Sequence, residues 1–156
     1  MAKAGKCICF SLLISGFFSC GKALESAASK GFTKAWYKRD TVDFAFENKD
    51  TMQAKNLYLV VRNNDAYPFR NLYLFVALHA PSGRVVTDTL AYRMADARGN
   101  WLGSGIGAEK ESVLAYRLNR VFGEIGSYHL TITQGMRRDS LHGITRVGYL
   151  LEISKK

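Results

Sequence analysis

The sequence predicts an all-β protein: an antiparallel β-sandwich of about seven short strands, immunoglobulin-like or jelly-roll-like, preceded by a signal peptide. Three observations carry that reading. Asn56-Leu57-Tyr58-Leu59 returns as Asn71-Leu72-Tyr73-Leu74. Each copy opens a run rich in β-branched and aromatic residues, bounded by Asn, Asp, Pro and Gly, which is the pattern of a strand. Apolar residues also alternate with period two, in Val42, Phe44 and Phe46 and again in Tyr128, Leu130 and Ile132. Finally, turn formers recur at Pro81-Ser82-Gly83, between Asp96 and Asn100, and between Gly123 and Ser127.

The chain has 156 residues, enough for one domain with a substantial core. Its N-terminus sets the address. Lys3 and Lys6 precede an apolar run from Cys7 to Phe18. That run is too short to span a bilayer, which takes ~20 residues, and it suits the apolar region of a secretory signal over residues 1–19. It ends at Ser19-Cys20, a small residue followed by Cys, which resembles a bacterial lipobox. Cleavage before Cys20 would leave a lipid-bearing N-terminal residue; a plain secretory signal with an incidental Cys is the alternative. The other two cysteines, Cys7 and Cys9, would leave with the signal. The mature domain then has no thiol for a disulfide, a metal or nucleophilic catalysis. Residues 20–33 are small and polar and read as a flexible tether reaching ~20 Å. The sandwich domain is placed over 34–156.

Within that domain, strands are expected at 42–46, 55–62, 71–79, 84–94, 112–118, 128–133 and 144–153. The two related runs have hardly any polar face. Leu57, Leu59 and Val61 share one side, as do Leu72, Leu74, Val76 and Leu78. Both strands are therefore placed centrally in a sheet, covered on one side by a second sheet.

Net charge is +9, but the basic residues are scattered, with Arg137-Arg138 and Lys155-Lys156 the tight clusters. A nucleic-acid binder would show a basic stripe or arm, so no nucleic-acid partner is expected; an anionic membrane suits dispersed charge better. Enzyme readings do poorly. His79, His129 and His142 lack metal-ligand spacing. Ser104 has no nucleophile elbow around it. Gly103, Gly105 and Gly107 lack the following helix and Lys-Ser/Thr pair of a phosphate loop, so a tight loop is expected. Nothing places Asp88 beside Asp96. No cofactor, metal or small-molecule substrate is expected.

Binding is the better reading. Trp36, Tyr67, Phe69 and Trp101 fall in loops or strand ends, as does Arg98, and aromatic residues with Arg are typical interface anchors. Trp36 and Trp101 plugging the ends of the core is the alternative. Arg137 and Arg138 suit a carboxylate or lipid phosphate, with a solvated turn as alternative.

Three blocks of residues carry a family resemblance. The first is Leu59, Arg62-Asn63-Asn64, Tyr67-Pro68-Phe69, Asn71-Leu72, Pro81, Gly83 and Asp88-Thr89. The second runs from Leu90-Ala91 and Met94-Ala95-Asp96 to Gly99-Asn100-Trp101-Leu102-Gly103-Ser104-Gly105. The third is Gly126, Tyr128, Gln134, Met136-Arg137, Leu141, Gly143-Ile144 and Val147-Gly148. Together they resemble the GldH family, gliding-motility lipoproteins of Bacteroidota-type bacteria. The resemblance supplies no catalytic motif. It implies a non-enzymatic accessory of the gliding apparatus, anchored to membrane through Cys20 and working beside envelope proteins of the type IX secretion machinery. No Asp follows Cys20, which by resemblance to known sorting favours the outer membrane. No acidic run follows it either, which favours the periplasmic face over the cell surface. The rival function is a glycan- or ligand-binding sandwich with Trp36 and Trp101 as a stacking platform.

Overall fold

The computed structural model describes residues 23–155. The signal peptide and Cys20 lie outside the described residues. The strands, in order, are β1 (Leu24–Gly31), β2 (Trp36–Tyr37), β3 (Val42–Asn48), β4 (Ala54–Asn63), β5 (Asn71–His79), β6 (Val85–Arg93), β7 (Lys110–Val121), β8 (Gly126–Gln134), β9 (Ser140–Leu141) and β10 (Ile144–Ile153). One four-stranded sheet has the order β1-β10-β4-β7 and the other β3-β8-β5-β6, and β2-β9 is a separate two-residue pair. Every pairing is antiparallel. With the short pair set aside, the eight long strands pair as first-last-third-sixth and second-seventh-fourth-fifth. That is the jelly-roll order, two Greek keys folded together, and it decides against the immunoglobulin alternative.

Period-two patterning makes the sandwich. Leu57, Leu59 and Val61 of β4 are fully buried, as are Leu72 and Leu74 of β5. They meet Leu130 and Ile132 of β8 and Val147 and Leu151 of β10 in one core. Each such side chain, moved from water, contributes ~1.5–3 kcal/mol. The two related runs are both interior strands, but one sits in each sheet, so their apolar faces look toward each other across the core.

Polar side chains close the flanks between the sheets. On one flank the Tyr149 hydroxyl donates to the Ala45 carbonyl at 3.2 Å and shares a 2.6 Å hydrogen bond with Ser26 Oγ. On the other, Tyr92 donates to the Ala115 carbonyl at 2.7 Å. There Asp88 accepts from Tyr116 at 2.8 Å and from Arg117 at 2.7 Å. The Asp88 carboxylate thus serves β7, while Asp96 accepts from Asn100 within its own turn.

Two expectations need correction. Three strands went unseen, β1, β2 and β9. More consequentially, most of the expected tether is structure: residues 24–31 pair along β10, from Leu24 opposite Glu152 to Gly31 opposite Arg146. The strand was hidden because Glu-Ser-Ala-Ala-Ser-Lys has neither β-branched residues nor alternation. It is an edge strand held by its backbone. Its fit depends on Gly148, where a Cβ would collide with the Ala28 carbonyl oxygen and lie 2.7 Å from Ser29 Cβ. Glu25 adds an ion pair to Lys55, whose side chain is 1% exposed, at 2.6 Å.

Register sorts the chain into two poles. The start of β1, the end of β4's partner β10, the start of β4 and the end of β7 lie together. The loops 64–70, 94–109 and 135–139 lie at the opposite pole, with β2 and β9. β4 has ten residues, so the poles stand ~30 Å apart.

Candidate functional site, an aromatic and arginine-rich pole

The residues singled out in sequence gather at the pole far from Ala23, in three arrangements. The first is an aromatic knot. Tyr67 is buried, its hydroxyl donating to the Asn71 carbonyl at 2.8 Å. Its ring meets Phe69 edge-on at 5.6 Å and Trp101 at 6.2 Å. Trp101 is half-buried and donates through Nε1 to Asp65 at 3.0 Å. Burial pushes the Tyr67 phenol well above its ordinary value. The knot is seated on Gly143, at φ 81°, where a Cβ would collide with the Tyr67 amide nitrogen. The Gly143 carbonyl also accepts the Asn64 N–H at 2.8 Å, which fixes the start of the 64–70 loop.

The second arrangement is Trp36, which is 0% exposed, stacked on Phe32 at 5.4 Å and donating to the Asp40 carbonyl at 2.7 Å. It plugs the end of the core and offers no surface. Tyr67 likewise supports a surface from beneath. Both were candidates for contact, and burial removes them from it. The stacking platform of Trp36 with Trp101 is therefore not formed.

The third is an open groove of about 480 Å³, lined by Phe69, Asn71, Tyr73, Gly135, Met136, Arg137 and Arg138. Its far wall is a tight hairpin organised by Gln134, which is fully buried. Gln134 Nε2 donates to the Arg138 carbonyl at 2.7 Å and its Oε1 accepts the Met136 N–H at 2.8 Å. The wall is tied to β5 by the Gly135 N–H, which donates to the Tyr73 carbonyl at 2.7 Å. Both guanidinium side chains are exposed, and neither forms an ion pair among the described residues. A second cleft of about 490 Å³ shares Asn71 and carries Arg70 and Arg93. Arg98 stands on the neighbouring 96–100 turn, outside both clefts. Of the nearby carboxylates, Asp139 is exposed beside Arg138, while Asp65 and Asp96 are engaged. Asp65 holds Trp101, and Asp96 accepts from the Arg98 and Asn100 N–H groups at 2.8 and 2.9 Å. The Asn100 side chain first, then these N–H groups, hold the Asp96 carboxyl below its usual range. The net result is a cationic, partly apolar surface suited to an acidic segment of a protein.

Sequence reasoning missed Tyr73, which lies 42% exposed on the groove floor, and Ile106, which stands fully out of the 103–109 loop. Tyr73 lies on the face of β5 opposite Leu72 and Leu74, the face left uncovered, but it was not singled out as a surface residue. The structure also sets His79 opposite His129 across β5 and β8. Among the described residues, no group of three or more His, Cys, Asp or Glu is arranged to hold a metal ion. Gly103, Gly105 and Gly107 form the expected tight loop, with Lys110 donating to the Gly105 carbonyl at 2.9 Å.

A family model described as GldH lipoprotein matches residues 26–151. The chain belongs to the GldH lipoprotein family. It is 40% identical over 126 residues to a protein named gliding motility lipoprotein GldH homolog from Christiangramia forsetii, covering 76% of this chain and 78% of that one. It is 37% identical over 142 residues to gliding motility lipoprotein GldH of Flavobacterium johnsoniae, covering 86% and 88%. The family match takes in the aromatic knot, the groove and β1 from Ser26 onward. Among solved structures, a GH115 4-O-methyl-α-glucuronidase is similar at TM-score 0.39 and 19% identity, over 78% of this chain and 14% of that one. Dimeric latent PorU from Porphyromonas gingivalis is similar at TM-score 0.35 and 10% identity, over 85% and 12%. Both similarities are too distant to bear on function.

Proposed function

We propose that this gliding-motility lipoprotein is a non-enzymatic docking component, held in the outer membrane through lipid on Cys20 with its domain on the periplasmic side. Its partner would be an envelope protein of the motility and type IX secretion-associated machinery, met through the arginine-lined groove. One observation supports this reading above the others. The candidate surface residues that are not buried, half-buried Phe69 and Trp101 with exposed Arg98, Arg137 and Arg138, cluster ~30 Å from the end where the chain leaves toward Cys20. A surface so placed faces away from the anchoring bilayer and is free to meet a partner. The glycan-binding rival loses support because its second tryptophan, Trp36, is buried.

The test has two arms. Cys20→Ala is expected to move the protein from the outer-membrane fraction to the soluble fraction with an unchanged circular dichroism spectrum. Retention in the membrane would overturn the anchoring. Arg137→Glu with Arg138→Glu is expected to abolish crosslinks formed in the native envelope from a photoreactive residue at Tyr73, with the thermal midpoint unchanged. Crosslinks that survive the double charge reversal would overturn the groove as the docking surface.

A further inference from the structure

The pole that carries Ala23 holds a second surface. The Ala23 carbonyl accepts the Ile153 N–H at 3.0 Å, which ties that residue to the end of β10. Next across the sheet end, the Ser154 N–H donates to the Ala54 carbonyl at 2.8 Å, and Ala54 lies opposite Val121. The row from Ala23 to Val121 thus crosses four strands, ~15 Å. Two loops flank it. The 49–53 turn presents Met52, 86% exposed, on a turn closed by its own N–H donating to Asp50 at 2.7 Å. The 122–125 loop presents Ile125, 69% exposed, and is carried to this end by Asn48, whose Nδ2 donates to the Phe122 and Glu124 carbonyls. Leu24 and Val121 are exposed beside them, at 60% and 52%.

Single exposed apolar side chains are ordinary on a protein surface. Four at one end, where the chain leaves toward the lipidation site, are not accounted for that way. Only three peptide units join Cys20 to Ala23, and fully extended they reach ~11 Å. The headgroup region of a bilayer is itself ~5–8 Å deep on each side. A lipid on Cys20 therefore brings this pole down to the headgroups. Lys49 and Arg120 are exposed here, as is Glu47, while Glu25 is paired with Lys55, Asp50 accepts the Met52 N–H, and Glu124 is held by Ser82 and Arg84.

We infer that this pole is a membrane-seating surface: Leu24, Met52, Val121 and Ile125 enter the headgroup boundary of the bilayer that holds the protein's own lipid, and Lys49 and Arg120 meet lipid phosphates. The inference rests on lipidation at Cys20. It replaces a domain swinging on a ~20 Å tether with one seated in a single orientation, groove outward.

The test uses the full processed lipoprotein. All three cysteines lie at or before position 20, so an introduced thiol is the sole one available for labelling. Met52→Cys, Ile125→Cys, Arg98→Cys and Ile106→Cys, each carrying an environment-sensitive fluorophore, are reconstituted in phosphatidylethanolamine–phosphatidylglycerol vesicles. Labels at 52 and 125 are expected to shift to the blue and to be quenched by a lipid-borne quencher, while labels at 98 and 106 behave as in water. Flotation with the vesicles but water-like signals at all four positions overturns the seating surface and leaves the anchor standing. Failure to float overturns the anchor, and the seating surface with it. A blue shift at 52 that depends on protein concentration and ignores the lipid-borne quencher marks a contact between copies, and also overturns the inference. As a second measurement, Met52→Ser with Ile125→Ser in the reconstituted lipoprotein is expected to lower severalfold the lipid-borne quenching of a label at Val121→Cys; unchanged quenching counts against it.

Discussion

Replacing Glu25 by Ala is the sharpest probe of whether β1 is part of the fold. Lys55 Nζ is 1% exposed and has two oxygen partners, Glu25 Oε1 at 2.6 Å and Asn48 Oδ1 at 2.7 Å. Asn48 is itself committed, since its Nδ2 donates to the Phe122 and Glu124 carbonyls. The substitution leaves a buried ammonium with one neutral acceptor. Removing one member of a fully buried ion pair costs about 3–5 kcal/mol. The Glu25 side chain is 22% exposed, so water enters where it stood, and the expected cost is about 2–3 kcal/mol. Lys55→Met removes the buried charge and leaves Asn48 Oδ1 and the partly exposed Glu25 carboxylate short of a donor, at about 1–2 kcal/mol. The double substitution is then expected to cost less than Glu25→Ala alone, with a coupling of about 1.5 kcal/mol or more. Urea unfolding of the Cys20→Ala chain reads these differences. Hydrogen exchange reads the β1 amides, which are expected to lose protection in Glu25→Ala. A loss below about 0.5 kcal/mol, the scale of a neutral surface change, or unaltered exchange over 24–31, would refute the claim that this ion pair docks the strand.

Two further predictions follow from the geometry. Gly143→Ala forces an L side chain into the left-handed region and into the Tyr67 amide; an expected loss of about 2–4 kcal/mol in denaturant unfolding, with exposure of Trp101 to quenchers, checks it, and a loss under about 1 kcal/mol contradicts it. Burial first, with the nearby Asp88 charge adding, pushes the Tyr92 and Tyr116 phenols from 10.0 up to about 12. Their contribution to stability is therefore fully present below pH 10 and is lost as pH rises toward about 12, because the unfolded chain releases those protons first. Unfolding midpoints measured across that window should fall with pH, and Tyr92→Phe with Tyr116→Phe should flatten the fall.

Residues that face one environment throughout were readable in the sequence; residues placed by a distant partner were not. β4 and β5 announced themselves because Leu57, Leu59, Leu72 and Leu74 alternate against an inner core. β1 carries no such signal, since what orders it is the backbone of β10, the small size of Gly148 and a lysine on β4. The composition that suggested a tether, small residues with Ser and Gly, is also what lets an edge strand lie close to its neighbour. The candidate site was half legible for a similar reason. Aromatic and Arg residues at strand ends marked the right pole, but whether each lies on the surface or under it depends on the loop above. Trp36 is capped by the β2-β9 pair and Phe32, so it packs inward; Phe69 is left at a groove edge because the Gln134 hairpin stands back from it.

The edge strand also gives the molecule its direction. β1 starts at the Ala23 pole and runs toward the aromatic pole, and its pairing with β10 fixes where the chain enters the sandwich relative to both. With only three peptide units left between Cys20 and Ala23, anchoring at Cys20 would also decide which loops face a partner. In a freely tethered domain, the groove would point at the bilayer part of the time, and docking would carry the cost of orienting it. Folding residues 24–31 into the sandwich pays that orientation cost once, during folding. By this reasoning a flexible Gly-Ser insertion between Cys20 and Ala23 would leave stability unchanged, lower the crosslinking yield from Tyr73 and abolish the lipid-borne quenching at position 52. Unchanged crosslinking yield and quenching after such an insertion would show that the short connection has no part in presenting the groove.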